Sequence, residues 1–245
     1  MNIEIDKYNN GLNIWIELAK QYSDCFNEPD SDNTSETTNT NNQEQSNRFL
    51  RNVLQDNTIL FTYDKKEQTK ADSLISSLLQ ETIGDLTYVL DCEENSIFTN
   101  ESLYVYKRYS DIRSAFDLLE SIEEESKQDG IERYIFINSF LEYYVLSDSC
   151  RFIDDIKKLS KVQRIHIICI TSICGGLTQD IIDLFSGHLS CWIGSLEGSN
   201  LLFGSDIACS QIMEWEVFYK NKETPATIQD FICDDEESTN NLLDI

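Results

Sequence analysis

Residues 58–70 hold the arrangement best suited to chemistry in this chain. Thr58-Ile59-Leu60-Phe61-Thr62-Tyr63 reads as a short buried strand, Asp64-Lys65-Lys66-Glu67-Gln68-Thr69-Lys70 as a polar turn, and Ala71 to Thr82 as a helix. A strand, a loop and a helix in that order form the frame that cradles the phosphates of a nucleotide. That chemistry needs glycines, so that successive backbone N–H groups wrap the phosphates, and then a lysine and a Ser/Thr for phosphate and Mg²⁺. Residues 62–70 contain no glycine. The loop is therefore read as degenerate.

A second position tells the same way. In a nucleotide hydrolase of this layout, the strand at 133–138 would end in a carboxylate that holds Mg²⁺ through water and positions the attacking water. Here it ends in Asn138-Ser139, and an amide cannot supply the negative charge. Asp91, Glu93 and Glu94 follow the strand at 86–90, where α/β active sites gather. They read as a solvated loop, with a metal or acid/base role as the alternative. His166 lies inside an apolar strand and reads as a satisfied core or interface histidine, whereas His188, in Ser186-Gly187-His188, reads as an exposed turn residue. Gly175-Gly176 is a turn or flexible loop without the fixed spacing of a phosphate-binding motif. The eight cysteines, Cys25, Cys92, Cys150, Cys169, Cys174, Cys191, Cys209 and Cys233, form no CxxC pair and no zinc spacing, and read as reduced, buried thiols. No catalytic, cofactor-binding or metal-binding residue is assigned, and no cofactor is expected.

Nineteen basic against 44 acidic residues give a formal charge of −25. Such a field repels nucleic acid except at a local basic patch. Three basic groups stand out: Lys65, Lys66 and Lys70 in the degenerate loop; Lys107, Arg108 and Arg113 beside Tyr104, Tyr106 and Tyr109; and Lys157, Lys158, Lys161 and Arg164. The second interleaves cations with aromatics and is the candidate RNA contact. Ordinary surface charge is the plainer reading of it.

The elements that must position these residues alternate along the chain. Strands are expected at 58–63, 86–90, 103–106, 133–138 and 164–171, with helices at 71–82, 110–126 and 149–159. Runs as apolar as 164–171 are those of parallel strands buried on both faces, and the alternation argues for βαβ crossovers. After a short helix at 178–186, strands at 189–193, 200–203 and 215–220 suggest antiparallel pairing at one edge. The domain reading is a 1–26 segment with an amphipathic helix at Leu12–Tyr22, a disordered polar insert at 27–47, an α/β body at 48–222, and an acidic tail at 223–245. No signal-peptide pattern and no apolar run of membrane-spanning length is visible, so a soluble intracellular chain is expected, cytoplasmic and possibly also nuclear.

The order of elements resembles the RecA-like ATPase fold, a three-layer αβα architecture with a mainly parallel sheet, antiparallel edge strands and here an erased phosphate loop. Within it, the opening at Thr58–Asp64 and Ala71–Gln80, the acidic Cys-containing turn after Leu86–Glu93, the run Ile137-Asn138-Ser139-Phe140-Leu141, and the ending Asp234–Glu237 with Leu243-Asp244-Ile245 are similar to the accessory subunits of the Elongator complex, the fifth above all and the sixth next. The resemblance implies a non-catalytic subunit of a hetero-hexameric ring. Its implied partners are the fourth and sixth subunits and the Elongator core, with tRNA met indirectly during wobble-uridine modification. The alternative resemblance is to the recombinase paralogues that act as accessory proteins in homologous recombination.

Overall fold

A computed structural model describes residues 45–91, 93, 96–99, 107–129, 131–146, 149–172, 176–210 and 216–230, all within one compact unit, Asn42–Ile245. The Leu12–Tyr22 helix, the strand at 103–106, Glu94, Gly175 and the tail from 231 lie outside the described residues, as does the polar insert up to residue 44. Residues 45–53 form a helix, α1, so regular structure begins inside the range read as disordered.

Side chains alternate across a strand, and here both alternating sets are apolar. In β1 (Thr58–Thr62), Ile59 and Phe61 face one side and Leu60 the other, all with no exposed surface. The same two-sided burial runs through β2 (Leu86–Leu90), β4 (Arg133–Ile137) and β5 (Ile165–Thr171). Each fully buried Ile, Val, Leu or Phe contributes about 1.5–3 kcal/mol relative to exposure, so these strands fix the sheet. With β3 (Lys107–Tyr109), β6 (Gly187–Ser190), β7 (Glu216–Asn221) and β8 (Thr227–Asp230), they form one eight-stranded sheet in the order β3-β2-β4-β5-β1-β6-β7-β8. The pairs from β3 through β6 are parallel, and β6-β7 and β7-β8 are antiparallel.

Helices cover both faces. On one, α2 (Gln68–Glu81) buries Ala71, Leu74, Ile75, Leu78 and Leu79, spaced three and four apart, and α1 adds Leu50 and Val53. On the other lie α3 (Ile112–Asp129), α4 (Phe140–Leu146), α5 (Ser149–Leu159), α6 (Gln179–Ile182) and α7 (Leu196–Phe203). There the Phe152 ring stands 5.9 Å from those of both Phe116 and Phe140. This is the expected three-layer α/β fold, mainly parallel with antiparallel edge strands.

Three local expectations are corrected. Residues 200–203 are helical, because Ser195 caps α7 by accepting from the Gly198 N–H and Gly204 ends it at φ 72°. The body runs beyond 222, since Thr227–Asp230 pairs along β7. His188 is buried in β6 rather than exposed in a turn. Cys169 and Cys191 are buried free thiols, and burial pushes the Cys169 thiol pKa well up. Among the described residues no helix is long and apolar enough to cross a membrane.

Candidate functional site

The parallel strands end at one rim, and the segment leaving β1 there begins with Asp64. The Asp64 N–H donates to the Trp192 carbonyl at 3.3 Å, which anchors the turn to the segment after β6. Its carboxylate Oδ1 accepts from the Lys66 N–H at 3.0 Å, and its carbonyl accepts from the Glu67 N–H at 2.8 Å. A 3-10 turn, Lys65–Glu67, then leads directly into α2. Asp64 thus caps the helical start with its own carboxylate, taking an N–H that an anionic ligand would need. Every residue of 62–70 has negative φ. The alternation of right- and left-handed residues that turns successive N–H groups toward one anion is therefore missing.

The three lysines expected near this turn do not converge. Lys65 and Lys66 are exposed, whereas Lys70 is buried and its ammonium donates to the Glu216 carbonyl of β7. Beside the turn lies a cleft of about 420 Å³, lined among others by Tyr63, Asp64, Gly176, Ile193 and Glu197. Among the described residues its lining holds two carboxylates and no lysine or arginine. Gly194 permits the close approach, since a Cβ there would lie 2.9 Å from Asp64 Oδ2.

At the ends of β2 and β4, the predicted residues do come together. Asp91 is fully buried, which corrects the solvated-loop reading. Its Oδ1 accepts from Asn138 Nδ2 at 3.0 Å and from the Glu93 N–H at 3.2 Å. Its Oδ2 accepts from Arg108 Nε at 3.2 Å and Nη2 at 3.0 Å, and from the Ser96 hydroxyl. A carboxylate offers about four acceptor positions, so these donors saturate it and leave no lone pair for a metal. Arg108 Nη2 also donates to the Glu93 carbonyl at 2.7 Å. Ser139 stands at φ 52°, left-handed for a residue with a Cβ, and its hydroxyl donates to Glu93 Oε1.

Arg108, read from sequence as a candidate RNA contact, is therefore turned inward, while Lys107 lies 5.1 Å over the Tyr109 ring. In the third basic group, Lys158 pairs with Glu123 at 2.5 Å, and Lys157 and Lys161 are exposed. His166 is satisfied, as expected. Its Nδ1 is 3.2 Å from the Asp56 carbonyl, its Nε2 is 3.0 Å from Glu132 Oε2, and its ring stacks on Tyr134 with centroids 4.9 Å apart. Burial, with Asp85 and Glu132 nearby, pushes the Tyr134 phenol up to about 12. No cluster of three or more His, Cys, Asp or Glu able to hold a metal occurs among the described residues.

No family model and no curated protein matches the sequence. Solved structures match its fold. The conjugation coupling protein TcpA of pCW3, in its monomer form with ATPgS, is 12% identical with a TM-score of 0.58 over 74% of this chain and 61% of that one. EssC (ATPases 2 and 3) from Geobacillus thermodenitrificans is 12% identical with a TM-score of 0.56 over 72% and 39%. The genome packaging NTPase B204 from Sulfolobus turreted icosahedral virus 2, in complex with AMPPCP, is 10% identical with a TM-score of 0.53 over 72% and 98%. This is the fold of a P-loop ATPase domain. The chain spans less than two-thirds of the TcpA and EssC structures and nearly all of the packaging one.

Within the P-loop ATPase fold, the β1–α2 junction is the phosphate position and the end of β4 is the position of the metal-organising carboxylate. This chain has a capping aspartate at the first and an asparagine at the second. Sequence reasoning named Arg108 as an RNA contact and missed its place beside Asp91. The arginine is 17 residues from Asp91 along the chain and meets it only because β3 pairs with β2.

Proposed function

We propose that this chain is a non-catalytic, RecA-like subunit that acts by assembly rather than by hydrolysis. The observation that carries this reading is the Asp64 carboxylate bonded to the Lys66 N–H at the phosphate position. A phosphate brought there meets a fixed negative charge and loses a donor. Asn138 supports the same reading, because its amide is committed to Asp91.

The assembly we propose is the accessory ring of Elongator. The support is the resemblance of the 58–80, 86–93 and 137–141 segments to that family, together with a phosphate position closed by the chain's own side chain. In that role the domain buries its surface against the fourth and sixth subunits, at interfaces of about 1,000 Å² or more each. The complex then supports tRNA wobble-uridine modification in the cytoplasm, without this chain carrying the chemistry. The test is purification of the tagged chain from its native cell, with mass spectrometry of what accompanies it. Recovery of the other RecA-like Elongator subunits and the core supports the reading. Recovery of recombinases instead assigns the chain to recombination, and recovery alone removes the ring.

A further inference from the structure

A second cleft, of about 530 Å³, opens where β6 begins, between α6, α7 and the end of β7. Its size is that of a small-molecule site. Leu201 and Leu202 supply apolar wall, and His188, Lys220, Lys222 and Asp183 supply the titratable groups.

His188 is 8% exposed, and its Nδ1 has no hydrogen-bond partner. Folded proteins leave few buried polar atoms in that condition, and this one belongs to a side chain that lines the cleft. Lys220 is the register partner of His188 on β7. Its ammonium donates to the Phe203 carbonyl at 3.1 Å, which uses one of its three N–H bonds. Lys222 is exposed, two residues further on. The opposing charge, Asp183, already accepts from Gln179 Nε2 at 2.8 Å. On a chain of net charge −25, two cations facing one engaged carboxylate make this a locally positive place. The field is felt at the imidazole. Burial first, then Lys220 and Lys222, pull its pKa down to about 4, against a smaller opposing effect of Asp183. At neutral pH the ring is therefore uncharged, with one nitrogen able to donate.

We propose that this cleft binds a small organic anion, with its carboxylate or phosphate group held by Lys220, Lys222 and the His188 imidazole and its apolar part packed on Leu201 and Leu202. The site is independent of the rim at Asp64 and Asp91 and of the assembly proposed for the chain.

The test is titration of the full chain with phenyl phosphate, benzoate and neutral benzyl alcohol, read by imidazole NMR. The chain has two histidines, so a His188→Gln variant assigns both ring signals. The expected result is a saturable shift of His188, not of His166, with one or both anions and not with the alcohol. Phosphate alone or carboxylate alone then names the headgroup. Lys222→Ala should weaken binding about tenfold, the scale of one lost charged contact, and Lys222→Arg should retain it. Lys222 is the residue to change because Lys220 also holds the end of α7. No saturable shift with either anion, an equal response to benzyl alcohol, or unchanged affinity in Lys222→Ala overturns the proposal.

Discussion

Asn138 Nδ2 donates to Asp91 Oδ1 across 3.0 Å and joins the end of β4 to the end of β2. The position where an ATPase of this fold needs a carboxylate is thus occupied by a donor that a buried carboxylate needs. Asn138→Asp replaces the bond with two carboxylates in contact inside the rim. The expected loss is about 2 kcal/mol near neutral pH, diminishing in acid as one of the pair takes a proton. Urea unfolding at two pH values measures it. A variant as stable as the parent at neutral pH would remove the energetic role assigned to the bond.

Arg108 offers two nitrogens to Asp91, and the carboxylate has no exposed surface. Breaking a buried pair from one side costs about 3–5 kcal/mol, because the remaining charge is stranded. Arg108→Met is expected near the lower end of that range, since the Asn138, Ser96 and Glu93 donors to Asp91 remain. Arg108→Lys restores the charge without the fork and should recover only part of the loss. Chemical denaturation of the three proteins orders them, and equal stability of Met and parent would contradict the pairing.

The rim should ignore nucleotide. Thermal unfolding with and without Mg-ATP is expected to coincide, since Asp64 holds the helix-start N–H and the adjoining cleft carries carboxylates without a basic group among its described lining. Asp64→Ala should cost about 1 kcal/mol of cap energy. It should not confer nucleotide binding, because the turn still lacks the backbone of a phosphate nest. A melting shift with Mg-ATP in the parent chain would sink the non-catalytic reading.

His188 gives a defined pH response. Its folded pKa of about 4 lies below the ordinary 6.5, so the unfolded chain binds more protons between those values. Stability is therefore full above about pH 6.5 and falls as the pH drops toward 4, by at most about 3 kcal/mol. The carboxylates titrate in the same region, so the measurement is the difference between the parent and His188→Gln across pH 4–7. Parallel curves would show that His188 does not titrate between the two states.

Most of the sheet was legible because β1, β2, β4 and β5 are apolar on both faces and alternate with helices, as strands of a buried parallel sheet do. The glycine-free turn after β1 and the asparagine at the end of β4 could be read directly from the sequence. What failed was short or relational. Leu201-Leu202-Phe203 is too brief for its period to separate strand from helix, and Ser195 and Gly204, one at each end, were the usable signal. His188 was misread because Gly187 beside it suggested a turn. That glycine instead makes room for Asp56, whose Oδ2 would lie 2.4 Å from a Cβ there and accepts from the Tyr219 hydroxyl. Arg108 could not be assigned to Asp91 before the β2-β3 pairing was known.

The pairing of β8 with β7 also decides where this protein can be cut. A chain ended at Lys222, at the boundary composition suggests, would lose Thr227–Asp230 and bare the β7 edge along Glu216–Tyr219. Unsatisfied main-chain N–H and C=O groups beside buried Val217, Phe218 and Tyr219 invite another molecule's strand, so such a fragment should come off a sizing column as oligomers. One ended after Asp230 keeps the edge clad, and should elute as a single species when no partner is present.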